Sequence, residues 1–552
     1  MLFNLNYFLN YLRDYLITKK FKIFNKKIFK TKKIKSDTII LVEFNAFHTS
    51  HIALSNMANI LRKKYNSKIL AFYNYSIIVS KLNENFLQRI KWILSNFFNL
   101  GNIGVYKSFG VEKIFKPVIS KYFIEQGKSN SEKIISNIKS KDDVLKIKYK
   151  DILIGDLIYD TYLKTFKTYT IKIDDKRLYK MIEDFMSLCY YWDNFFKINK
   201  VSAVLAIHSV YSFAIPIRVA IFNDVKVFAM NMERLFCLSK INYLKGTDFH
   251  YFPEQFSLLS DEIKKKGMNA AKKNLLNRFR GKTSTEADLT YTMVSSFSNS
   301  LKTKRVLKDT SNLKILISPH DFMDSIHVMG DLLFPDFYEW LIYLGQMSEM
   351  TDYEWYIKNR PNYPGKFKLY QSLTNKWTED ICKKFPKIKI IDNDVSHHQL
   401  IKEGINFVFT CYGSVGIEYP YYNIPVINAC KFNPHYRYKF NLSPKSIEEY
   451  KKIILNLKNL SIEIKKDEIY EFYFMRHIYN NRQWLTRDHK EMVKKIGGYT
   501  DQFSTKLYEY WVNNYSLKEF ENTNKFVNRF VDSGDYILSL KHQEELLELN
   551  LK

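Results

Sequence analysis

A chain of 552 residues is longer than one hydrophobic core usually serves, and 46% hydrophobic with 16% aromatic content excludes global disorder, so two or more domains are expected. Lysine and arginine number 85 against 57 aspartates and glutamates, a net charge of +28 that favours anionic partners: a phosphorylated substrate, acidic lipid or nucleic acid. The five cysteines (Cys189, Cys237, Cys382, Cys411 and Cys430) are scattered without a CxxC pair, which supports neither a disulfide framework nor a zinc site and points to a reducing cytoplasm.

Residues 1–36 combine large apolar side chains with a dense basic set and a single acid, Asp14. Leu2, Phe3, Tyr7, Phe8, Tyr11 and Leu12 recur at helical spacing. Arg13 interrupts the apolar run and no small-residue cleavage site follows, so the segment is a poor signal peptide. No stretch of the chain offers the roughly 20 apolar residues of a membrane span. Two readings stand side by side: a basic amphipathic helix lying on an anionic leaflet, or a helix packed on its own protein.

The segment 37–255 opens with a strand over 38–44, a loop carrying Asn45, His48 and His51, a helix over 52–64 and a strand over 68–72. That order begins a doubly wound domain. Helices are predicted over 86–97, 111–123 and 180–199, and strands over 152–155, 203–207 and 225–229. Asp156 falls on the loop after 152–155. Residues 256–310 are polar and helix-prone, and read as a helical insertion or linker that includes the low-apolar stretch 277–288. A second Rossmann-like unit spans 311–495, with strands over 313–318, 354–358, 388–391, 405–410 and 425–428. Residues 496–552 read as helices crossing back towards the first domain. The fold class is α/β.

The densest information lies in residues 405–430, INFVFTCYGSVGIEYPYYNIPVINAC. A buried strand leads to the Gly413-Ser414 turn, a short helix bearing Glu418, and a second apolar strand. In open α/β sheets ligands bind beyond the carboxyl ends of the strands, where helix N-termini favour phosphate. Ser414 and Glu418 stand four residues apart on one helical face: a hydroxyl with free N–H groups suits a phosphate, and a carboxylate one turn on suits ribose or sugar hydroxyls. Pro420 limits the helix to about two distorted turns.

Residues 410–429 resemble the donor-site segment of GT-B glycosyltransferases that build bacterial capsules and lipopolysaccharide. Segments 41–53 (LVEFNAFHTSHIA), 154–163 (IGDLIYDTYL), 318–324 (SPHDFMD), 333–341 (LFPDFYEWL) and 355–361 (WYIKNRP) are similar to the same group. The resemblance spans most of 37–445. It implies two Rossmann-like domains facing across a cleft, with the acceptor on 37–255 and a nucleotide-sugar donor on 311–495. It also implies a transferase without cofactor or metal, working on a lipid-linked or glycan acceptor from the cytoplasmic face of the membrane.

Donor contacts are then expected from Ser318, His320, Lys358, Arg360, Gly413, Ser414 and Glu418. YIKNRP departs from the group's Lys-x-His-Pro pattern, with Asn359-Arg360 where the histidine is expected; an arginine fork contacts phosphate in another way. The base for the acceptor hydroxyl is His48 or Asp156, and His51 and Arg234 are expected to contact the acceptor. The Asp392-Asn393-Asp394 stretch lacks the surroundings of a metal motif, and Asp394 or Ser396 suits an N-cap or turn role. A nucleotide-sugar epimerase or a polyol-phosphate transferase of the same fold is the alternative. Nucleic-acid binding finds no recognised motif.

Overall fold

The computed structural model describes residues 5–30, 34–74, 86–244, 249–281, 296–297, 304–360, 368–481, 483–486 and 488–543. Leu2 and Phe3 of the N-terminal pattern, residues 282–288 of the polar stretch, Pro361 of the 355–361 motif and residues 544–552 lie outside it.

The first half of the chain supplies β1 (Ile39–Phe44), β2 (Lys68–Tyr73), β3 (Val111–Phe115), β4 (Lys148–Tyr149), β5 (Ile152–Leu153), β6 (Val201–Ala206), β7 (Lys226–Met230) and β8 (Leu235–Leu238). The β4 and β5 strands form a separate small hairpin, and the others make one sheet in the order β3-β2-β1-β6-β7-β8, parallel except for the β8 edge. All six residues of β1 are buried, as a central parallel strand covered on both faces requires.

The second half supplies β9 (Lys314–Ile317), β10 (Glu354–Lys358), β11 (Ile388–Ile391), β12 (Phe407–Thr410) and β13 (Val426–Asn428), all parallel, in the order β11-β10-β9-β12-β13. Both sheets therefore grow outward from their first strand and then reverse. Each has a topological switch point, between β1 and β6 and between β9 and β12. Crevices at such points are where α/β sheets bind ligands.

Loops at the carboxyl ends of the two sheets touch. Tyr211, after β6, donates its hydroxyl to Asp324, after β9, at 3.1 Å, and Lys164 lies 3.4 Å from the same carboxylate. Tyr211 makes this reach with a left-handed backbone (φ 55°), an uncommon conformation for a bulky residue. Deeper in the contact, Asp160 and His327 form a buried pair at 2.7 Å, and Tyr159 donates to Asp336 at 2.5 Å. This is a GT-B-like arrangement: two Rossmann-like units joined at their strand-end loops.

Several elements differ from the sequence reading. The predicted helix over 111–123 is β3 followed by helix Lys121–Ser136. Val111 and Ile114 are buried between exposed Glu112 and Lys113, a half-covered edge that lacks the 3.6-residue period. The strand β8 was not foreseen; it is four residues long and held by β7 on one side. His48 opens helix His48–Tyr65 instead of lying in a loop, and Asp156 sits in the first turn of helix Gly155–Phe166. Gly155 starts that helix against the Val144 carbonyl, where a Cβ would lie 2.1 Å from the oxygen.

The N-terminal helix, Leu5–Phe29, divides in two. Ile17, Phe21, Ile28 and Phe29 enter the core, with Phe21 stacked on Tyr508 at 4.0 Å. Phe8, Leu9, Tyr11 and Leu12 are exposed. Helices Thr505–Asn514 and Leu517–Ser533 pack on the first unit around this helix and His48–Tyr65. Helix Asp261–Phe279 packs on helix Lys466–Phe474 beside the second sheet, with Gly267 against the Phe474 ring. Among the described residues no helix is long and apolar enough to cross a membrane.

Candidate functional site

In the second unit the loops after β9 and β12 meet through His320. Its buried Nε2 lies 3.1 Å from Thr410 Oγ1 and accepts the Tyr412 N–H at 3.3 Å, while the Arg360 guanidinium stands 3.5 Å from Nδ1. Phe337 and Tyr412 pack on the ring at 4.9 and 4.4 Å. Burial, reinforced by the Arg360 charge, holds the imidazole well below its usual pKa, so the ring is neutral. Thr410 also accepts the Gly413 N–H at 3.2 Å. A Cβ on Gly413 would lie 2.8 Å from that hydroxyl, so this close turn calls for glycine.

The structure thus brings His320, Arg360 and Gly413 together at the β9/β12 switch point. Ser318 is half-buried beside them and donates its N–H to Phe409 O at 2.8 Å. Ser414 is exposed ahead of the four-residue helix Val415–Glu418, which continues as the 3₁₀ turn Pro420–Tyr422.

Lys358 and Glu418 form a second, buried group. Lys358, the last residue of β10, donates Nζ to Asn393 O at 3.1 Å. Burial lowers its pKa to about 8 against the opposing pull of Asp394 and Glu418. Glu418 accepts from Arg278 Nε at 2.8 Å, and both side chains are buried. Glu418 was expected as an open carboxylate offered to sugar hydroxyls; the arginine of helix Asp261–Phe279 engages it instead. Nothing in the local pattern 413–418 announces a partner 140 residues upstream.

In the first unit the expected residues separate. His51 is fully buried, with Nδ1 against the Tyr508 hydroxyl and Nε2 3.0 Å from Asn45 O; burial lowers its pKa to about 3. Both ring nitrogens are engaged, which leaves none for an acceptor. The His48 ring also packs on Tyr508, at 4.5 Å, and burial lowers its pKa to about 4. Asp156 is clamped by Arg218 through two bonds of 2.6 and 2.5 Å, and Arg218 also donates to Leu153 O. Arg234 donates Nε to Asn481 at 2.6 Å.

At the β1/β6 switch point a different pair stands. Glu43, near the end of β1, accepts the backbone N–H groups of Ile207 and His208 at 2.8 and 3.2 Å, and lies 2.7 Å from His208 Nδ1. The sequence signal was present in two parts: a lone acid inside an apolar strand, and a histidine directly after another strand. Only the parallel pairing of β1 with β6 makes them one unit. Among the described residues no group of three His, Cys, Asp or Glu side chains is placed to hold a metal.

No family model and no curated protein matches the chain. Among solved structures it is similar to KpsC, a β-Kdo 2,4 transferase of Thermosulfurimonas dismutans, at 13% identity and TM-score 0.31, over 50% of this chain and 79% of that one. It is also similar to the UDP-GlcNAc 2-epimerase of Neisseria meningitidis (10% identity, TM-score 0.22, 79% of this chain and 98% of that one). A third is MnaA of S. aureus, solved with UDP (11% identity, TM-score 0.22, 83% and 95%). Likeness at these scores carries no argument about chemistry; strand order and side-chain geometry carry it here.

Proposed function

We propose that this chain is a nucleotide-sugar enzyme of GT-B type, a glycosyltransferase that moves a sugar from its nucleotide donor to a growing bacterial surface glycan, capsule or lipopolysaccharide. The observation that carries the reading is the pair of like-ordered parallel sheets, touching at their strand-end loops, each with a histidine across its switch point. Their position at the switch points supports both crevices as ligand sites.

The donor belongs to the second unit, with its phosphates near Arg360, His320 and the Gly413-Ser414 turn and with Lys358 behind. A departing nucleoside phosphate needs charge compensation, and the arginine fork with backbone N–H groups is suited to supply it. The acceptor, lipid-linked or glycan, belongs to the first unit. The enzyme works at the inner face of the cell membrane, which it meets as a peripheral protein. Exposed apolar side chains on helices Leu5–Phe29 and Phe86–Phe97, set in a strongly basic chain, support that attachment. No cofactor or metal enters the proposal.

The test is thermal shift with UDP, CMP, GDP and CDP and their sugars, because a ligand that binds only the native state raises the melting temperature. At least one nucleotide is expected to do so, and none doing so rejects the reading. An epimerase would convert the bound sugar with no acceptor present, so analysis of the sugar after incubation separates the two chemistries.

A further inference from the structure

We propose that His208 is the proton acceptor of the cleft and that Glu43 is its positioning residue. The inference rests on the functional reading above, which takes the crevice between the two units as the place of glycosyl transfer. The pair itself is defined by geometry.

Glu43 is 1% exposed and receives three donors: the Ile207 and His208 N–H groups and His208 Nδ1–H. A carboxylate held this way cannot rotate, and the short bond to Nδ1 places that proton between them. The neutral ring is then the Nδ1–H tautomer, with its Nε2 lone pair pointing away from Glu43. Among the described residues Nε2 has no partner. The His208 side chain retains 28% of its exposure, so a buried acid stands behind an open ring. Phe47 and Phe213 flank the imidazole at 5.6 and 5.1 Å and restrict its turning.

Location adds the second half of the argument. Glu43 is the penultimate residue of β1 and His208 follows β6, so the pair bridges the switch point of the acceptor-side sheet. Three residues further, Tyr211 reaches Asp324 on the facing unit. The ring therefore lies close to where the two units meet.

Electrostatics agrees with the role. Burial alone would lower the His208 pKa, but the hydrogen bond and the negative charge of Glu43 outweigh it and raise the pKa above the ordinary imidazole value. His48, at about 4, is a poor proton acceptor near neutral pH, and the Asp156 carboxylate is already occupied by Arg218. In the transfer step an acceptor hydroxyl gives its proton to Nε2 as its oxygen bonds the anomeric carbon. The anomeric carbon–oxygen bond to phosphate breaks, and its electron pair leaves with the nucleotide. The imidazolium so formed is stabilised by the Glu43 carboxylate against Nδ1.

The experiment uses the full chain and whichever UDP-, CMP-, GDP- or CDP-sugar raises its melting temperature, with release of free nucleotide to water as the turnover readout. His208→Ala is expected to lower that rate about 10²- to 10⁴-fold while the nucleotide still raises the melting temperature, and added imidazole is expected to restore part of it. Wild-type turnover should rise with pH through the raised His208 pKa, and Glu43→Gln should shift that inflection to lower pH. Near-normal turnover in His208→Ala, or an inflection unmoved in Glu43→Gln, overturns the assignment. If no nucleotide binds, the functional reading fails separately, and NMR titration of the His208 ring decides the pair. A ring that titrates at or below the ordinary value in wild type, or does not fall in Glu43→Gln, overturns it.

Discussion

Arg278 and Glu418 form a buried ion pair that ties helix Asp261–Phe279 to the turn following β12. Removing one partner of such a pair strands a charge away from water, at about 3–5 kcal/mol, whereas replacing both with apolar side chains of like volume is often neutral. Glu418→Ala is therefore expected to lower stability by about that amount in urea unfolding. The double variant Arg278→Met/Glu418→Met should recover most of the loss. Equal instability of single and double variants would show that the stranded charge is not the source of the loss. If the double variant folds normally but no longer responds to nucleotide, one of the two side chains also serves the donor.

Lys358 is expected to give donor binding a pH dependence. Its pKa of about 8 means that the ammonium is present below that value and lost as pH rises through it. A cation behind the donor phosphates strengthens binding only while protonated, so nucleotide affinity should fall between about pH 7.5 and 9.5. Lys358→Met should weaken binding at pH 7 and flatten the profile. Affinity that stays level across this range in wild type would place Lys358 outside the donor's field.

Gly413→Ala tests the turn itself. The new methyl would meet the Thr410 hydroxyl, a side-chain atom that can swing aside, so the cost in stability should be modest, about 1–3 kcal/mol. Swinging Thr410 breaks its contact with His320, and the nucleotide-induced rise in melting temperature should shrink. An unchanged response would remove the Thr410–His320 contact from the donor site. The same substitution at Gly416 meets the His435 ring at 2.3 Å and is expected to act on stability alone.

Most strands were legible because a parallel strand buried on both faces is a short run of Val, Ile and Phe, as in β1, β9 and β12. The β10 and β11 strands were read to the residue. The edges were harder: β3 is half-exposed and β8 is four residues long, so neither carries a distinct period. In the site, the Gly413-Ser414 turn and its two distorted helical segments followed from local chemistry, since Gly and Pro act on their neighbours. The partners did not. Glu418 with Arg278, Asp156 with Arg218, His51 with Tyr508 and Glu43 with His208 are all joined across 62 or more residues. Pattern reading assigns a lone charged residue to a cleft or to solvent, and only tertiary pairing reveals which are spoken for.

Membrane attachment is the last expectation. Deleting residues 1–35 would remove Ile17, Phe21, Ile28 and Phe29 from the core, each worth about 1.5–3 kcal/mol, so that deletion tests folding as well as binding. A cleaner test leaves the packed half in place. Helix Phe86–Phe97 presents Leu87, Ile93 and Phe97 to solvent, with Leu87 and Phe97 73% and 77% exposed, and Phe98 follows. Apolar patches of this kind, on a chain of net charge +28, suit the interface of an anionic leaflet. The protein is expected to float with phosphatidylglycerol-containing vesicles and not with pure phosphatidylcholine. The pair Ile93→Glu/Phe97→Glu, both exposed, should leave the melting temperature nearly unchanged and reduce flotation. Removing residues 1–12 should act in the same direction. Full flotation after both changes would move the attachment elsewhere on the molecule, and no flotation of the wild type would reject it.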